Sequence, residues 1–182
     1  MENRVPRKTD RRTIYTRNVI KDSLLELLCE KTFDKLTVSQ LCKQADLTRT
    51  TFYVHYNNLN DVLDSLIEDA LEIATSTDSN KDATFFPTCQ RIADMPKYRS
   101  LFMDETLSGY IVNKMFQYEK NILMPQLMND SHLTKTEAEL LFRFLLNGSF
   151  SVNKALGWDK NDTWYDFQNL LLKFIRGGLG SI

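Results

Sequence analysis

The first glycine of this 182-residue chain is Gly109. An all-β domain needs a tight turn roughly every 8 to 12 residues, and tight turns draw on glycine and proline for the backbone angles other residues resist. Six Gly and four Pro in the whole chain are too few to punctuate such a fold, so the expected class is all-α. A composition of 42% hydrophobic and 26% charged residues is that of an ordinary folded protein and excludes disordered and low-complexity classes. No apolar run reaches membrane-spanning length, and the start MENRVPRKTDRR is charged with no apolar stretch behind it. The expectation is a cytoplasmic protein with no secretory leader and no membrane contact.

Periodicity places the helices. Ile20, Leu24, Leu27 and Leu28 form one stripe of a helix from about Thr13 to Lys31. Thr37-Val38-Ser39-Gln40 has the form of a capping box, with Leu36 and Leu41 as the hydrophobic staple around it. The helix it opens carries Val38, Leu41, Cys42 and Ala45 on one face and stops at Asp46. Thr48 then starts a third, short helix, with Leu47 and Phe52 as staple, that runs to about Tyr56 and ends at Asn57-Asn58. A long fourth helix follows, with Val62, Leu63, Leu66, Ile67, Ala70, Leu71 and Ala74 on one face. The polar stretch 75–83 reads as a loop or boundary, and beyond it breaks are expected at Pro96, Pro125 and around Gly109, with a segment from Thr106 to about Met124. A capping box at Thr134-Lys135-Thr136-Glu137 opens a helix that is apolar around most of its circumference, through Leu140, Leu141, Phe142, Phe144, Leu145, Leu146, Phe150 and Val152. The last helix, about Thr163 to Arg176, is similar, and Gly177-Gly178 is expected to stop it.

Charge separates the two halves. Residues 1–60 carry eleven Lys or Arg against seven Asp or Glu, a balance of +4, and the remainder carries −5, for a total of −1. Arg4, Arg7, Lys8, Arg11, Arg12 and Arg17 make the start a basic arm that either lies along phosphates or is a solvated tail. Two short helices joined by a few residues have the dimensions of a helix-turn-helix, in which the second helix enters the major groove with its N-terminus first. Arg49 suits the O6/N7 edge of guanine, the methyls of Thr48, Thr50 and Thr51 suit thymine, and Tyr53, His55 and Tyr56 offer polar tips to phosphates. The plain alternative is a helical hairpin on the surface of a bundle.

Other chemistry finds little footing. Cys29, Cys42 and Cys89 lack any CxxC spacing and read as buried packing, while His55 and His132 are the only histidines, so no metal and no cofactor is expected. Gly177-Gly178-Leu179-Gly180 follows a helix instead of opening one and is no phosphate loop. No nucleophile or acid/base spacing stands out, and the expectation is a protein that is not an enzyme. The sequons at Asn129, Asn147 and Asn161 carry meaning only in a secreted chain.

Residues 17–63, RNVIKDSLLELLCEKTFDKLTVSQLCKQADLTRTTFYVHYNNLNDVL, resemble the DNA-binding domain of the tetracycline-repressor (TetR) family of bacterial regulators. The helix-one phrase, the Thr-Val opening of helix two, the threonine-rich turn and the Thr-Phe-Tyr-x-His-Tyr stretch fall in order at that family's spacing. The resemblance implies base or nearby phosphate contacts by Thr48, Arg49, Thr50, Thr51 and Tyr53. His55 and Tyr56 would lie on the DNA backbone, and Thr37, Ser39 and Gln40 would flank the groove. It departs at Thr32 and Asp46, where the family usually has Gly, and at Leu59, where it usually has a phosphate-touching Lys. It further implies a DNA-binding domain over 1–60 and an effector-binding and dimerisation domain over 61–182.

In that larger domain the resemblance implies that the last two helices pair with their copies in a homodimer. Leu145, Gly148, Ser149, Val152, Phe167, Leu171 and Phe174 would lie at the interface, and Trp158 and Trp164 would cap the helices. Helices apolar nearly all round independently need two burial partners. Phe102, Met103, Tyr110, Met115, Phe116, Tyr118, Met124, Phe142 and Asn147 are candidates to line a pocket for a small-molecule effector, or else are simply core. The expected function is a regulator that binds a near-palindromic double-stranded operator, with repression the expected sign. The rival expectation is a helical ligand- or protein-interaction bundle, a co-regulator whose DNA module has weakened.

Overall fold

The computed structural model describes residues 8–76, 87–130 and 132–179. The described residues form nine α-helices and two 3-10 turns, with no strand among them. In chain order the helices are α1 (Lys8–Leu28), α2 (Val38–Gln44), α3 (Arg49–His55), α4 (Leu59–Ser76), α5 (Pro87–Ile92), α6 (Arg99–Met103), α7 (Ser108–Asp130), α8 (Lys135–Ala155) and α9 (Asp162–Leu179), with 3-10 turns at Phe33–Lys35 and Pro96–Tyr98. They fall into two compact units, and the division lies within α4, between Asp69 and Ala70. The first unit also takes in Asp104–Thr106. Arg4, Arg7, Gly180 and most of the expected 75–83 loop lie outside the described residues.

In the first unit α1 packs against α2 and α3, which pack on each other. The stripe Ile20, Leu24, Leu27 and Leu28 is buried with Leu41, Phe52, Val62, Leu63 and Leu66, so the spacing that defined each helix also builds the core. Each such side chain contributes about 1.5 to 3 kcal/mol by leaving water. Lys21 Nζ meets Asp69 Oδ2 at 2.5 Å and ties α1 to α4. Asp104 explains why its short segment belongs here: its Oδ2 accepts the Phe33 N–H at 2.7 Å, and its Oδ1 accepts the N–H and hydroxyl of Thr106 at 2.7 and 2.6 Å.

In the second unit α7 and α8 form the main helix pair, with Phe116 and Phe142 in ring contact at 5.1 Å. Thr134 caps α8 through the expected box, accepting from Glu137 N while Glu137 Oε2 accepts from Thr134 N at 2.8 Å. These bonds favour the ionised Glu137 and hold its carboxyl below its usual range, the Thr134 hydroxyl first among them. At its other end α8 stops in a Schellman turn: Trp158 N–H donates to Asn153 O and Gly157 N–H to Lys154 O, both at 2.9 Å. That turn needs left-handed backbone, and Gly157 supplies it at φ +66°.

Several expectations are corrected. α1 begins at Lys8, so Arg11, Arg12 and Arg17 stand on a helix and not on an arm. α7 continues through Pro125: the missing N–H removes one hydrogen bond, at a cost of about 3 kcal/mol, but buried Met124 and Leu127 on either side keep the segment on the core. α9 runs through Gly177 and Gly178, because glycine disfavours a helix by only about 1 kcal/mol and does not forbid it. Trp158 and Trp164 are buried anchors of the protomer: Trp158 lies against Phe102 and Phe150, and Trp164 Nε1 donates to Asn153 Oδ1 at 2.8 Å. Cys29 is exposed, while Cys42 and Cys89 are buried, and all three are free.

Candidate nucleic-acid interface

The turn between α2 and α3 is built from its residue types. Thr37 opens α2 with a full capping box, its N–H and hydroxyl both donating to Gln40 Oε1 at 2.9 Å. The helix ends after two turns because Asp46 takes left-handed backbone, φ +51°, while Leu47 N–H donates to Cys42 O at 2.9 Å. A non-glycine residue held there costs about 1 to 2 kcal/mol. Asp46→Gly is therefore expected to stabilise the first unit by about 1 kcal/mol, read as a higher urea midpoint; an unchanged or lower midpoint contradicts the strain. Two residues further on, Thr48 caps α3: its Oγ1 accepts the Thr51 N–H at 3.1 Å and pairs with the Thr51 hydroxyl at 2.9 Å.

The cap sets which face of α3 points outward. Phe52 is buried beneath the helix, while Arg49, Thr50, Tyr53 and Val54 are exposed, the last two at 55% and 74%. The Arg49 guanidinium donates to Ser39 Oγ, so a side chain of α2 positions the cation at the start of α3. Burial pushes the Cys42 thiol up, and the Arg49 charge offsets part of that. Neither α2 nor α3 contains an acidic residue, and Arg11, Arg12 and Arg17 of α1 and Lys43 of α2 are exposed. A short helix with a polar, cationic start and no carboxylate of its own is suited to enter a groove lined by phosphates. Behind it, Asp61 accepts Asn57 N–H and Nδ2 at 2.8 Å each; these bonds hold its carboxyl below the usual range and fix the entry to α4.

The structure thus brings Ser39, Arg49, Thr50 and Tyr53 to one exposed surface, with half-buried Thr51 and His55 at its margin. Thr37 and Gln40 are closed on each other, and Thr48 on Thr51. Tyr56 departs from expectation. It is 4% exposed, its hydroxyl is out of water without a partner, and Arg17 lies over its ring at 4.9 Å. The hydrophobic ring wins over the polar tip because Tyr56 follows Phe52 at helical spacing and so falls on the core side. Sequence reasoning passed over Val54, and also Ile14 and Tyr15, which stand exposed on α1 beside its arginines. Apolar residues among charges were the available signal.

Of the pocket candidates, Phe102, Met115, Phe116, Met124 and Phe142 are core. Met103, Tyr110 and Tyr118 lie at the surface, so the nine do not converge on one site. Phe116 and Asn147 share a shallow cleft of about 280 Å³ with Gly109, Val112, Asn113, Arg143 and Leu146. The Arg143 guanidinium covers the Phe116 ring at 3.8 Å. The interface candidates divide as well. Leu145 and Ser149 point inward and are buried; Val152, Phe167 and Leu171 are half-buried; Gly148 and Phe174 are exposed. The exposed apolar side chains of these two helices include Leu140 (62%), Phe144 (67%), Leu170 (65%) and Phe174 (64%). All-round apolar sequence told of two buried faces but not which residue belonged to which.

No protein-family model matches the chain. Over 78 residues it is 32% identical to the uncharacterized HTH-type transcriptional regulator YxbF of Bacillus subtilis (strain 168), a match covering 38% of this chain and 20% of that protein. The chain therefore spans about a fifth of the length of the curated relative it matches. Among solved structures it is similar to the dihydroxyacetone kinase operon activator DhaS, with a TM-score of 0.59 over 90% of this chain and 97% of that one at 16% identity. That likeness shows the fold: an all-helical chain in which a helix-turn-helix is joined to a helical bundle.

Proposed function

We propose that the chain is a DNA-binding transcriptional regulator of the tetracycline-repressor kind, a cytoplasmic homodimer that grips a near-palindromic operator and is released by a small-molecule effector held in the second unit. The observation that carries the reading is the outward-facing start of α3, where Arg49, held by Ser39, stands beside exposed Thr50 and Tyr53 over a buried Phe52. Helix-turn-helix geometry of this kind positions base-reading side chains through phosphate contacts around them. The partial likeness to YxbF supports it. A single reading helix covers too few base pairs to select one genomic site, whereas two, about 34 to 36 Å apart, read both halves of a palindrome. The exposed Phe144 and Phe174, with Leu140 and Leu170, supply the apolar surface for the second copy. Repression is the favoured sign because occupancy of a promoter suffices for it. The effector acts by preferring the conformers that do not fit DNA, and a differential affinity of a few kcal/mol is enough.

Footprinting on the DNA flanking the gene tests this. Two protected half-sites one helical turn apart, about 10 to 10.5 base pairs between centres, are expected; a single unpaired patch or uniform protection contradicts the dimeric reader. A second test isolates the α1 arginines. Arg11→Ala with Arg12→Ala is expected to weaken binding alike on all sequences and to make the log–log salt slope shallower by about 2. An unchanged slope shows that these side chains meet no phosphate.

A further inference from the structure

The interior of the second unit holds a run of polar side chains that DNA reading does not use. Thr88 and Cys89 of α5, Glu119 of α7, and Ser149 and Asn153 of α8 are all buried. One end of the run is closed. Asn153 Nδ2 donates to Ser149 O at 2.7 Å, its Oδ1 accepts from Trp164 Nε1 at 2.8 Å and Gln168 Nε2 at 3.2 Å, and Gln168 Oε1 accepts from Gln90 Nε2 at 3.2 Å. The other end is open. Glu119 is 3% exposed, both of its carboxylate oxygens are out of water, and neither completes a hydrogen bond, the Thr88 hydroxyl standing nearby without closing one.

A buried carboxylate left this way is costly, and a leucine or methionine would fill similar space without that cost. Among the described residues, cations of the neighbouring helices are engaged elsewhere. Arg91 of α5 donates to Ala74 O at 2.5 Å, Arg143 of α8 pairs with Glu139 at 3.1 Å, Lys154 of α8 donates to Ser108 at 2.6 Å, and Lys120 of α7 donates to Gln117 at 2.5 Å. What the open acceptors lack is a positively charged donor from outside. One turn earlier on the same face of α7, buried Met115 and Phe116 offer an apolar wall that continues into Phe142.

We infer that Glu119 anchors a ligand site for a small organic cation, an ammonium group on an apolar body, with the hydroxyls of Thr88 and Ser149 as neutral neighbours and Met115 and Phe116 against the apolar part. The inference deepens the effector part of the proposed function and rests on that reading only for its consequence on DNA. Burial pushes the Glu119 carboxyl up to about 7, the Thr88 hydroxyl offsetting a little, so below that pH the cation must displace a proton.

The probes are ethyl- to hexylammonium chlorides on the full chain, with the matching alcohols and carboxylates as controls. Calorimetry near pH 6 in two buffers of different ionisation heat is expected to show about one proton released per bound ammonium. Affinity is expected to fall toward about tenfold for each further unit of acidification. Thermal unfolding shifts upward with an ammonium and not with its alcohol or carboxylate. Glu119→Gln, neutral and of the same shape, folds and loses the ammonium response; Thr88→Val weakens binding a few-fold. No ammonium response, an equal response to the alcohols, or an undiminished response in Glu119→Gln overturns the site. Ammonium binding that leaves a gel shift on the gene's flanking DNA unchanged keeps the site and removes its role as effector site. DNA binding with no cation response keeps the regulator and removes the site.

Discussion

Replacing Arg49 by alanine is expected to lower affinity for the proposed operator by about 5- to 150-fold, the equivalent of about 1 to 3 kcal/mol, and to relax preference at one base pair in each half-site. The guanidinium is exposed at the first turn of α3 and already held by Ser39, so little ordering is needed before it meets a base edge. The truncation disturbs no core, since the buried anchor of α3 is Phe52. Arg49→Lys restores charge but not the two-pronged hydrogen bonding, and so recovers binding to random DNA more than selectivity. Ser39→Ala loosens the guanidinium and has a smaller effect in the same direction. Competition titrations against half-sites altered at one base pair check all three. A loss equal on every sequence shows that Arg49 meets phosphate and reads no base.

A larger effect is expected from charging the surface assigned to the second copy. Phe144→Asp with Phe174→Asp places carboxylates where the dimer requires two apolar faces to leave water, each phenylalanine being worth about 1.5 to 3 kcal/mol on burial. Both rings are exposed in the single chain, so the protomer keeps its fold and its circular dichroism. Sedimentation is then expected to show one chain where the proposed dimer shows two. Affinity for the proposed operator is expected to fall by about 10² to 10⁴-fold, because each reading helix would lose the effective concentration a partner provides, while affinity for an isolated half-site is expected to stay as it was. A variant that still sediments as a pair places the interface elsewhere.

Glu119 governs a pH dependence of stability. Its folded carboxyl is raised to about 7 by burial, so its contribution is present at low pH and is lost as pH rises through that value. Glu119→Gln is accordingly expected to be more stable than the parent at pH 8 by up to about 3 kcal/mol and to differ by less than about 1 kcal/mol at pH 5. Denaturant midpoints at the two pH values check this. Equal midpoints at pH 8 would mean that the carboxylate reaches water or a partner when ionised.

The first unit was legible because local signals there do the deciding. Thr37 and Thr48 cap their helices as the spacing requires, Phe52 turns inward, and Asp46 adopts the left-handed turn that a residue other than glycine enters only at some cost. Tyr56 was misplaced because a tyrosine carries both a ring and a hydroxyl, and only its position after Phe52 decides which one prevails. The second unit was less readable. In α8 apolar residues occupy nearly every direction, so that Leu145 and Ser149 proved inward while Leu140 and Phe144 proved outward, a choice made by packing between helices distant in sequence. Glu119 left no mark at all in the sequence. A lone glutamate in a helix reads as solvated until the fold closes around it, and only burial with both oxygens unpartnered sets it apart.

The role proposed for the exposed start of α3 is to read base sequence on behalf of a paired chain. Its most direct test is an anisotropy titration of the DNA flanking the gene against a shuffled duplex of equal length and composition, at fixed physiological salt. One near-palindromic segment is expected to bind at least about 10³-fold more tightly than the shuffled duplex, with two chains per duplex. Equal affinity for both duplexes, or no binding to either, would contradict it.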